Sequence, residues 1–564
     1  MTALNARWRL GLADVAVATA ALAFLVVKYR LISSVNVNWD EFQFLSRVHE
    51  FQRGELATAF QTFHVHVFQW LVGVPGTEVD QIVAGRHVVY VLRLASVILV
   101  FLLGSRLASR SGALVAVLGT LTFSYLVRHG EAFRADPVIA FLILLAATLL
   151  VWKMDSVTAV LVAGVAVALA ASISIKTALF GPTLLCVLAL MCWSVEADTR
   201  RRRVRHAFAF AITAAFAYGI LYVTHAAVSS ASSGEVLHRA ALTGSGMLGN
   251  AQTGILMRTL RWDWPFWILC AAGVGVAIFD VFRDRDNSRR RVRALLLLSL
   301  LLPLISLDLY RNTFQYFYAM IVPVAALAVA YAIARVEHVA GPRWHAAVVL
   351  VPALALSARG AEALRAVGSD ENEAQRAILT AVHTIFPEPV PYLDRCGMVS
   401  SFPSANIFMS TYVTRAYRRR GVPVMPEIVA SRQPKFLLAN VMGLELDRPW
   451  AAMMASGHRL LREDFEFLQN NFVHHWGPIW VPGKRMTLRD GVPARVSIVV
   501  GGTYTVESAA SVSIDGTSYA PGAVVQLPAA THVVRGRGTL TLRSGARLSY
   551  PAVTLPVQPL FMPL

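Results

Sequence analysis

Two adjacent acidic residues, Asp40 and Glu41, come shortly after the first long apolar stretch of the chain, residues 12–31. If that stretch crosses a bilayer, both carboxylates lie at the membrane surface on its far side. A carboxylate beside hydrocarbon costs free energy, and such residues usually have a functional role. A carboxylate in this position can accept a proton from a substrate. Asp40 is therefore the candidate catalytic base, and Glu41 is a second candidate beside it.

Further charged residues lie in other polar segments between apolar stretches. Arg134 and Asp136 precede one stretch, Lys176 stands between two others, and Arg311 follows a later one. Guanidinium and ammonium groups form charge-assisted hydrogen bonds with phosphate oxygens. We therefore predict Arg134, Lys176 and Arg311 as phosphate ligands and Asp136 as a further candidate catalytic carboxylate.

Three more residues are candidates for contacts with the donor or the acceptor substrate of a group-transfer reaction, namely His64, His66 and Tyr316. Two histidines at this spacing can bind a metal ion, but the sequence shows no third ligand, so no metal site is predicted. The glycine pattern at 244–249 lies in a loop outside any βαβ context, which argues against a dinucleotide site. No cofactor is predicted.

The candidate residues also have structural interpretations. Asp40 or Glu41 could cap a helix, because acidic side chains favour helix N-termini. Asp136 stands where a span begins and could act as its N-cap. Arg134 could anchor to lipid headgroups, and Lys176 could extend its ammonium group to the membrane surface.

The composition predicts a membrane protein with many spans. Hydrophobic residues make up 56% of the chain and charged residues 15%, and the mean hydropathy is +0.53. The hydrophobic fraction and the mean hydropathy exceed those of soluble proteins, and the charged fraction is lower than theirs. A span needs about 20 apolar residues. On this criterion about eleven transmembrane helices are predicted, near residues 12–31, 87–105, 111–127, 137–152, 156–174, 177–194, 207–225, 264–282, 294–308, 315–334 and 344–358.

The charge distribution predicts the orientation of these spans. The formal net charge is +18, and the basic residues concentrate in every second loop, including the arginine-rich loop at 283–293. Such loops are typically cytoplasmic, so this pattern indicates topology, and no nucleic-acid partner is predicted. The loops with the candidate residues, and everything after about residue 360, are then extracytoplasmic. In the first of these loops, residues 41–60 show helical spacing of apolar side chains, which suggests a helix at the interface.

The chain after the last span changes in character. Residues 360–490 alternate helical and strand-like signals and predict a mixed α/β domain. Residues 491–564 contain short apolar strands separated by glycine-containing turns, which predict a small β-sandwich. The predicted fold is thus an α-helical polytopic membrane domain at 1–359 followed by these two extracytoplasmic regions.

The order of the motifs resembles the GT-C superfamily of membrane glycosyltransferases. The nearest branch in this respect comprises the protein O-mannosyltransferases and the bacterial lipid A aminoarabinose transferases. The resemblance spans roughly residues 10–335 and rests on four short motifs that share one side of the membrane. These are the acidic pair after the first span, the segment 134–137, the lysine-containing turn at 174–182 and the segment 311–318 before a proline-containing span.

The resemblance implies an inverting transfer of a sugar from a polyprenyl-phosphate carrier to an extracytoplasmic acceptor. It also implies a location in the bacterial inner membrane and no use of a nucleotide sugar. The acceptor could be lipid A, a cell-envelope polysaccharide or a protein, and the sugar stays open. A divalent-cation requirement varies across the superfamily, and none is predicted here.

Two other functions fit a chain of this composition. A transporter or flippase of lipid-linked sugars would carry ionisable residues within its spans and internal repeats, whereas this sequence has few charges in mid-span and no clear repeat. A non-catalytic envelope assembly protein would tolerate the loss of Asp40. The grouping of the candidate residues on one side of the membrane favours the enzyme.

Overall fold

The computed structural model describes residues 11–229, 248–249, 251–283, 288–367, 372–406, 409–453, 459–555 and 560–561. Most of the glycine pattern at 244–249 and part of the arginine-rich loop at 283–293 lie outside the described residues.

The first two thirds of the chain form helices connected by short turns and a few longer loops. In chain order they are α1 (Leu12–Leu31), α2 (Trp39–Gln52), α3 (His64–Phe68), α4 (Glu78–Leu107), α5 (Arg110–Thr122), α6 (Ser124–His129), α7 (Ala135–Lys153), α8 (Val157–Ile173), α9 (Gly181–Trp193), α10 (Ala197–Ala226), α11 (Thr253–Trp262), α12 (Trp264–Arg283), α13 (Ser288–Leu300), α14 (Ser306–Leu309), α15 (Tyr318–Ala340) and α16 (His345–Ala366). Short 3₁₀ helices adjoin several of them, at Gln69–Gly73, Ile175–Phe180, Leu302–Ile305, Gln315–Phe317 and Pro342–Trp344.

Within the described ranges, nine helices, some of them with an adjoining 3₁₀ turn, are long and apolar enough to cross a membrane. Two shorter apolar helices, α5 with 13 residues and α8 with 17, occupy the other positions where the sequence predicts a span. Helix α5 ends early because Phe123 adopts an extended conformation, after which α6 continues the segment. The predicted fold class, a helical multi-pass membrane protein with a C-terminal α/β and β-rich part, is confirmed.

Helix α15 lies at the centre of the bundle, and nearly all of its apolar part is buried. It packs against α4, α5, α7 and α12. Gly273 of α12 permits a close approach, because a Cβ atom there would lie 1.9 Å from the carbonyl oxygen of Ala328 in α15. Small residues at helix contacts are typical of membrane bundles.

Helix α2 carries the acidic pair and begins with a capping box. The side chain of Asn38 accepts a hydrogen bond from the Asp40 amide, and Glu41 accepts one from the Asn38 amide. The helix ends at Gln52, earlier than the predicted residue 60, because Gly54 follows with a φ of +70°. Its apolar face shares a buried core with residues such as Ile378 and Val382. The helix is therefore covered by the C-terminal part of the chain.

The C-terminal part contains four α-helices, two 3₁₀ helices (Met442–Leu444 and Trp450–Met453) and eleven strands in the described ranges. The helices are α17 (Glu373–Ile385), α18 (Thr411–Arg420), α19 (Met425–Arg432) and α20 (Arg462–Asn471). The strands are β1 (Tyr392–Leu393), β2 (Phe436–Leu438), β3 (Phe472–Trp476), β4 (Ile479–Leu488), β5 (Ala494–Ser497), β6 (Gly502–Ser508), β7 (Val512–Ile514), β8 (Thr517–Tyr519), β9 (Val524–Leu527), β10 (Thr531–Arg535) and β11 (Gly538–Ser544).

These strands form two sheets. One has seven strands in the order β1-β2-β4-β11-β6-β9, with β3 also paired to β4, and the other has four in the order β5-β10-β7-β8. Apolar side chains of both sheets, such as Val506 of β6 and Val534 of β10, share one buried core. The long strand β4 pairs with β2 and β3 through its first residues and with β11 through residues 483–488. One sheet therefore contains strands from both sides of residue 490.

Candidate functional site

Two carboxylates and two cations alternate at one end of the helical bundle. Arg134 donates a hydrogen bond from Nη1 to Oδ2 of Asp40, and its Nε lies 3.5 Å from Oδ2 of Asp136. Lys176 Nζ lies 2.5 Å from the other oxygen of Asp136. These four residues and Tyr316 are called the charged cluster. Each cation in it is neutralised by at least one acidic side chain.

The aromatic ring of Tyr316 supports both cations of the charged cluster. The guanidinium carbon of Arg134 lies 3.5 Å from the ring centroid, and Lys176 Nζ lies 5.1 Å from it. A cation at such a distance from an aromatic face is attracted by the ring quadrupole. The ring therefore holds the two cations side by side, and Tyr316 joins the predicted residues in one place.

The members of the charged cluster come from the ends of separate elements. Asp40 lies in the first turn of α2, Arg134 is the N-cap residue of α7, and Asp136 lies in the first turn of that helix. Lys176 and Tyr316 belong to the 3₁₀ helices that precede α9 and α15. Helix N-termini carry partial positive charge and stabilise acidic side chains. The local structure thus places both carboxylates where their negative charge is favourable.

Burial distinguishes the two carboxylates. The side chain of Asp136 is 1% exposed, whereas that of Asp40 is 23% exposed. Burial opposes the charge of Arg134, but the neighbouring Asp40 and Asp136 outweigh it and hold the pKa of the guanidinium above its ordinary value. Asp40 is therefore the more exposed carboxylate of the charged cluster, and Asp136 is buried against both cations.

Glu41 does not join the charged cluster. Its carboxylate accepts hydrogen bonds from Arg86 at 2.6 and 2.8 Å and from the Phe133 amide at 2.7 Å. Burial raises the pKa of Glu41, but the Arg86 guanidinium and the backbone donors outweigh it and hold that pKa below its ordinary value. Glu41 is thus a buried anion that fastens α2 to α4, and it also caps its own helix.

The two histidines of the first loop lie apart from the charged cluster. His64 is buried and stacks on Phe44 with ring centroids 3.5 Å apart, and burial lowers the pKa of its imidazole to about 3. His66 Nε2 lies 2.9 Å from Nδ1 of His225. Among the described residues, no group of three or more His, Cys, Asp or Glu side chains is arranged to hold a metal ion.

Arg311 contacts the C-terminal part of the chain. Its guanidinium carbon lies 3.8 Å from the ring centroid of Tyr412, a residue of α18 in the C-terminal part. It lines a cavity with other arginines there. The three predicted phosphate ligands therefore divide into two groups, with Arg134 and Lys176 together and Arg311 separate.

A further cation near Asp40 was not predicted from the sequence. The guanidinium carbon of Arg395 lies 3.6 Å from the ring centroid of Trp39, the residue before Asp40. Burial lowers the pKa of Arg395 to about 10, while the negative charge of Asp40 acts in the opposite direction. Arg395 follows β1 in a segment without a recognisable motif, so no local signal marked it.

No protein-family model and no curated protein sequence matches the chain. Solved structures do resemble it. The crystal structure of the oligosaccharyltransferase of Archaeoglobus fulgidus in the apo form matches with a TM-score of 0.50 and 13% sequence identity, covering 91% of this chain and 75% of that one.

The crystal structure of ArnT from Cupriavidus metallidurans in the apo state also matches with a TM-score of 0.50, at 14% identity. That match covers 76% of this chain and 93% of ArnT. Both proteins are membrane glycosyltransferases of the GT-C superfamily. The helical bundle described above therefore has the fold of the GT-C superfamily.

Proposed function

We propose that this chain is an inverting glycosyltransferase that moves a sugar from a polyprenyl-phosphate carrier to an extracytoplasmic acceptor in the bacterial inner membrane. The observation that carries the proposal is the accessible carboxylate of Asp40 paired with Arg134, with Lys176 over the same Tyr316 ring as Arg134. A base for the acceptor and cations for a leaving phosphate are two of the requirements of glycosyl transfer. The GT-C fold supports the same reaction class.

In the proposed reaction, Asp40 accepts the proton of the acceptor hydroxyl or amine as the oxygen or nitrogen of that group attacks the anomeric carbon. The bond from the anomeric carbon to the phosphate oxygen breaks on the opposite face, which inverts the configuration. The polyprenyl phosphate leaves with the electron pair of the broken bond. Arg134 and Lys176 stabilise the charge that develops on its oxygens.

The ion pairs of the charged cluster suggest how the donor prepares the base. Arg134 binds Asp40, and Lys176 binds Asp136. A donor phosphate competes for the same two cations. Its arrival would release Asp40 from Arg134 and leave the carboxylate next to the anomeric centre, while the buried Asp136 keeps Lys176 in place.

The opposite end of the bundle supports the proposed orientation. Arginines from several loops that the sequence predicts as cytoplasmic, including Arg106, Arg203 and Arg293, line one surface cavity. Basic residues between spans favour the cytoplasmic side. The charged cluster lies in the other set of loops, so the proposed active site faces away from the cytoplasm.

The proposal is tested by a transfer assay with the purified full-length protein and a panel of polyprenyl-phosphate sugars, with lipid A, a polysaccharide and a peptide as acceptors. We expect transfer from at least one polyprenyl-phosphate sugar, with inverted anomeric configuration in the product. Transfer from a nucleotide sugar alone, or retained configuration, would contradict the proposal.

A further inference from the structure

A cationic cavity lies between α18 and the segment that follows α14. Its volume is about 760 Å³. Gln252 and Tyr412 form part of its wall. Its remaining polar lining consists of the guanidinium groups of Arg311, Arg415, Arg418 and Arg419. The described lining residues include no acidic side chain, so among them the positive charge of this arginine cavity has no counterion.

The stability of α18 does not explain this concentration of charge. Arg415, Arg418 and Arg419 occupy positions i, i+3 and i+4 and share one helix face, where like charges destabilise a helix. Cations in the last turn gain from the helix dipole, which applies to Arg418 and Arg419. Arg415 lies before that turn, and Arg311 comes from another segment altogether. The arrangement of the four arginines is therefore explained better by binding of a ligand than by stabilisation of the helix.

The wall of the arginine cavity is held by hydrogen bonds. Tyr412 Oη donates to the backbone oxygen of Arg311 at 3.1 Å. Gln252 Nε2 lies 3.4 Å from that oxygen and from Tyr412 Oη. The guanidinium of Arg311 lies over the Tyr412 ring, which limits its freedom. A preorganised cation loses less conformational entropy when it binds.

The arginine cavity is close to the charged cluster. The ring centroid of Tyr412 lies 6.3 Å from that of Phe314, and Phe314 lies 5.9 Å from Tyr316. Tyr316 is the ring beneath Arg134. A molecule that extends over a few sugar rings could thus occupy the cavity and reach Asp40.

We propose that the arginine cavity binds the acidic part of the acceptor, a saccharide that carries carboxylate or phosphate groups. This inference rests on the proposed glycosyltransferase function and names its acceptor class. Guanidinium groups bind carboxylate and phosphate in a bidentate manner. The volume falls within the range of small-molecule sites. Leu248 is the single aliphatic side chain among the described lining residues, so the cavity does not suit a hydrocarbon tail.

The test measures binding separately from transfer. Full-length protein in phosphatidylcholine nanodiscs is titrated with tri-galacturonate, glucose 1,6-bisphosphate and the neutral maltotriose. The variant R415Q/R418Q removes two cavity charges, and R420Q removes a charge from the same helix outside the described lining. Because a charge-assisted contact is strong, we expect R415Q/R418Q to bind at least one acidic probe about tenfold or more weakly than wild type. R420Q should bind it as wild type does, and maltotriose should not bind measurably.

Several results would overturn the inference. One is that maltotriose binds as tightly as the acidic probes, and another is that neither acidic probe binds. A third is that R420Q loses as much affinity as R415Q/R418Q, and a fourth is that R415Q/R418Q keeps the wild-type affinity. Thermal unfolding checks that both variants are folded. Nanodiscs with phosphatidylglycerol test whether the phosphate of a lipid headgroup, and not an acidic saccharide, occupies the cavity. If they abolish the arginine-dependent binding of the acidic probes, a lipid headgroup occupies the cavity and the inference is wrong.

The binding assay also separates this inference from the proposed function. The variant D40N should bind the acidic probe as wild type does, because Asp40 is not part of the cavity lining. Arginine-dependent binding without transfer from any polyprenyl-phosphate sugar would refute the proposed function and leave the anion site established. Transfer that proceeds equally well in R415Q/R418Q with every acceptor would refute the acceptor assignment alone.

Discussion

At the residue scale, two neighbouring acids serve different purposes. Successive residues of an α-helix point about 100° apart, so Asp40 and Glu41 face different surroundings. Asp40 meets Arg134 at a surface open to solvent, and Glu41 meets Arg86 in the interior. The same residue chemistry therefore yields a candidate base in one case and a structural anion in the other.

The central prediction concerns the base. D40N keeps the shape of the side chain and removes its charge. We expect the folded variant to transfer sugar at least about a hundredfold more slowly, because loss of a general base typically costs about 10²–10⁴ in rate. The measurement is initial rate at saturating donor. E50Q, a surface acid on the same helix, is the matched control and should retain wild-type activity. Near wild-type turnover in D40N would move the base elsewhere, with Asp136 the next candidate.

Replacement of Glu41 should act on stability. E41Q removes the charge that pairs with the buried Arg86, and breaking a buried pair typically costs about 3–5 kcal/mol. We expect a marked loss of thermal stability in detergent, whereas D40N should unfold near the wild-type temperature. If E41Q is as stable as wild type, the buried contact is not what fastens α2 to the bundle.

Lys176 should govern donor binding. K176A removes a cation of the charged cluster and should weaken binding of polyprenyl phosphate roughly ten- to a hundredfold, since charge-assisted contacts contribute about 1.5–3 kcal/mol each. K153A, at the far end of α7, is the control. Because K176A leaves the buried Asp136 with a weaker partner, D136N/K176A provides a second variant that should recover stability without recovering donor binding. Unchanged donor affinity in both variants would remove Lys176 from the site.

At the scale of elements, helix packing depends on glycine where two backbones meet. A Cβ at Gly273 would collide with the backbone of α15, which no side-chain rotation can relieve, whereas a Cβ at Gly275 meets nothing within 4 Å. We expect G273A to destabilise the protein by about 1–3 kcal/mol. G275A should be neutral or slightly stabilising, because alanine favours helix. Thermal unfolding of the two variants checks the contrast, and equal behaviour would contradict the close approach of α12 and α15.

Element prediction from the sequence succeeded for the membrane spans and was less complete for the C-terminal part. Long apolar runs identify spans because the bilayer requires a fixed length. The strands β3 and β4 were not predicted, because His474, His475 and Lys484 interrupt the alternation of apolar side chains and Pro482 is rare in sheet interiors. Strand β4 is nevertheless central to its sheet, since tertiary contacts outweigh the weak local preference.

At the scale of the whole molecule, the C-terminal part holds the helix that carries Asp40. Gln375 of α17 is fully buried, and its amide binds both the backbone N–H and the backbone oxygen of Val37, at 2.9 and 2.8 Å. Ser400 donates a hydrogen bond to the backbone oxygen of Phe42 at 3.0 Å. The C-terminal region thus holds the backbone on both sides of Asp40, at Val37 and Phe42, and with it the position of the carboxylate.

This contact gives a prediction for the assembled protein. Q375A leaves buried backbone groups of Val37 without partners, which typically costs about 1–3 kcal/mol for each unsatisfied group. We expect lower thermal stability and a lower kcat with little change in donor binding, because the charged cluster beyond Asp40 stays intact. T380A, an exposed position of the same helix, should change neither quantity. A normal kcat in Q375A would show that α2 is held by the membrane bundle alone.

The sequence by itself determined the properties that depend on local composition. Hydropathy placed the spans, since a bilayer selects apolar runs of one length. The location of Asp40, Arg134, Asp136 and Lys176 near span ends predicted one shared site, and the structure does bring these four residues together.

Only the tertiary structure decided which of the candidates meet. Glu41 turned inward to Arg86, Arg311 joined the arginines of α18, and His64 stacked on Phe44. These partners are distant in sequence, or their contact depends on how a helix is rotated about its axis. No local sequence pattern therefore encodes them. Side-chain direction and long-range packing are set when the helices and the C-terminal region assemble, because burial of charge is tolerated only where a partner lies in reach.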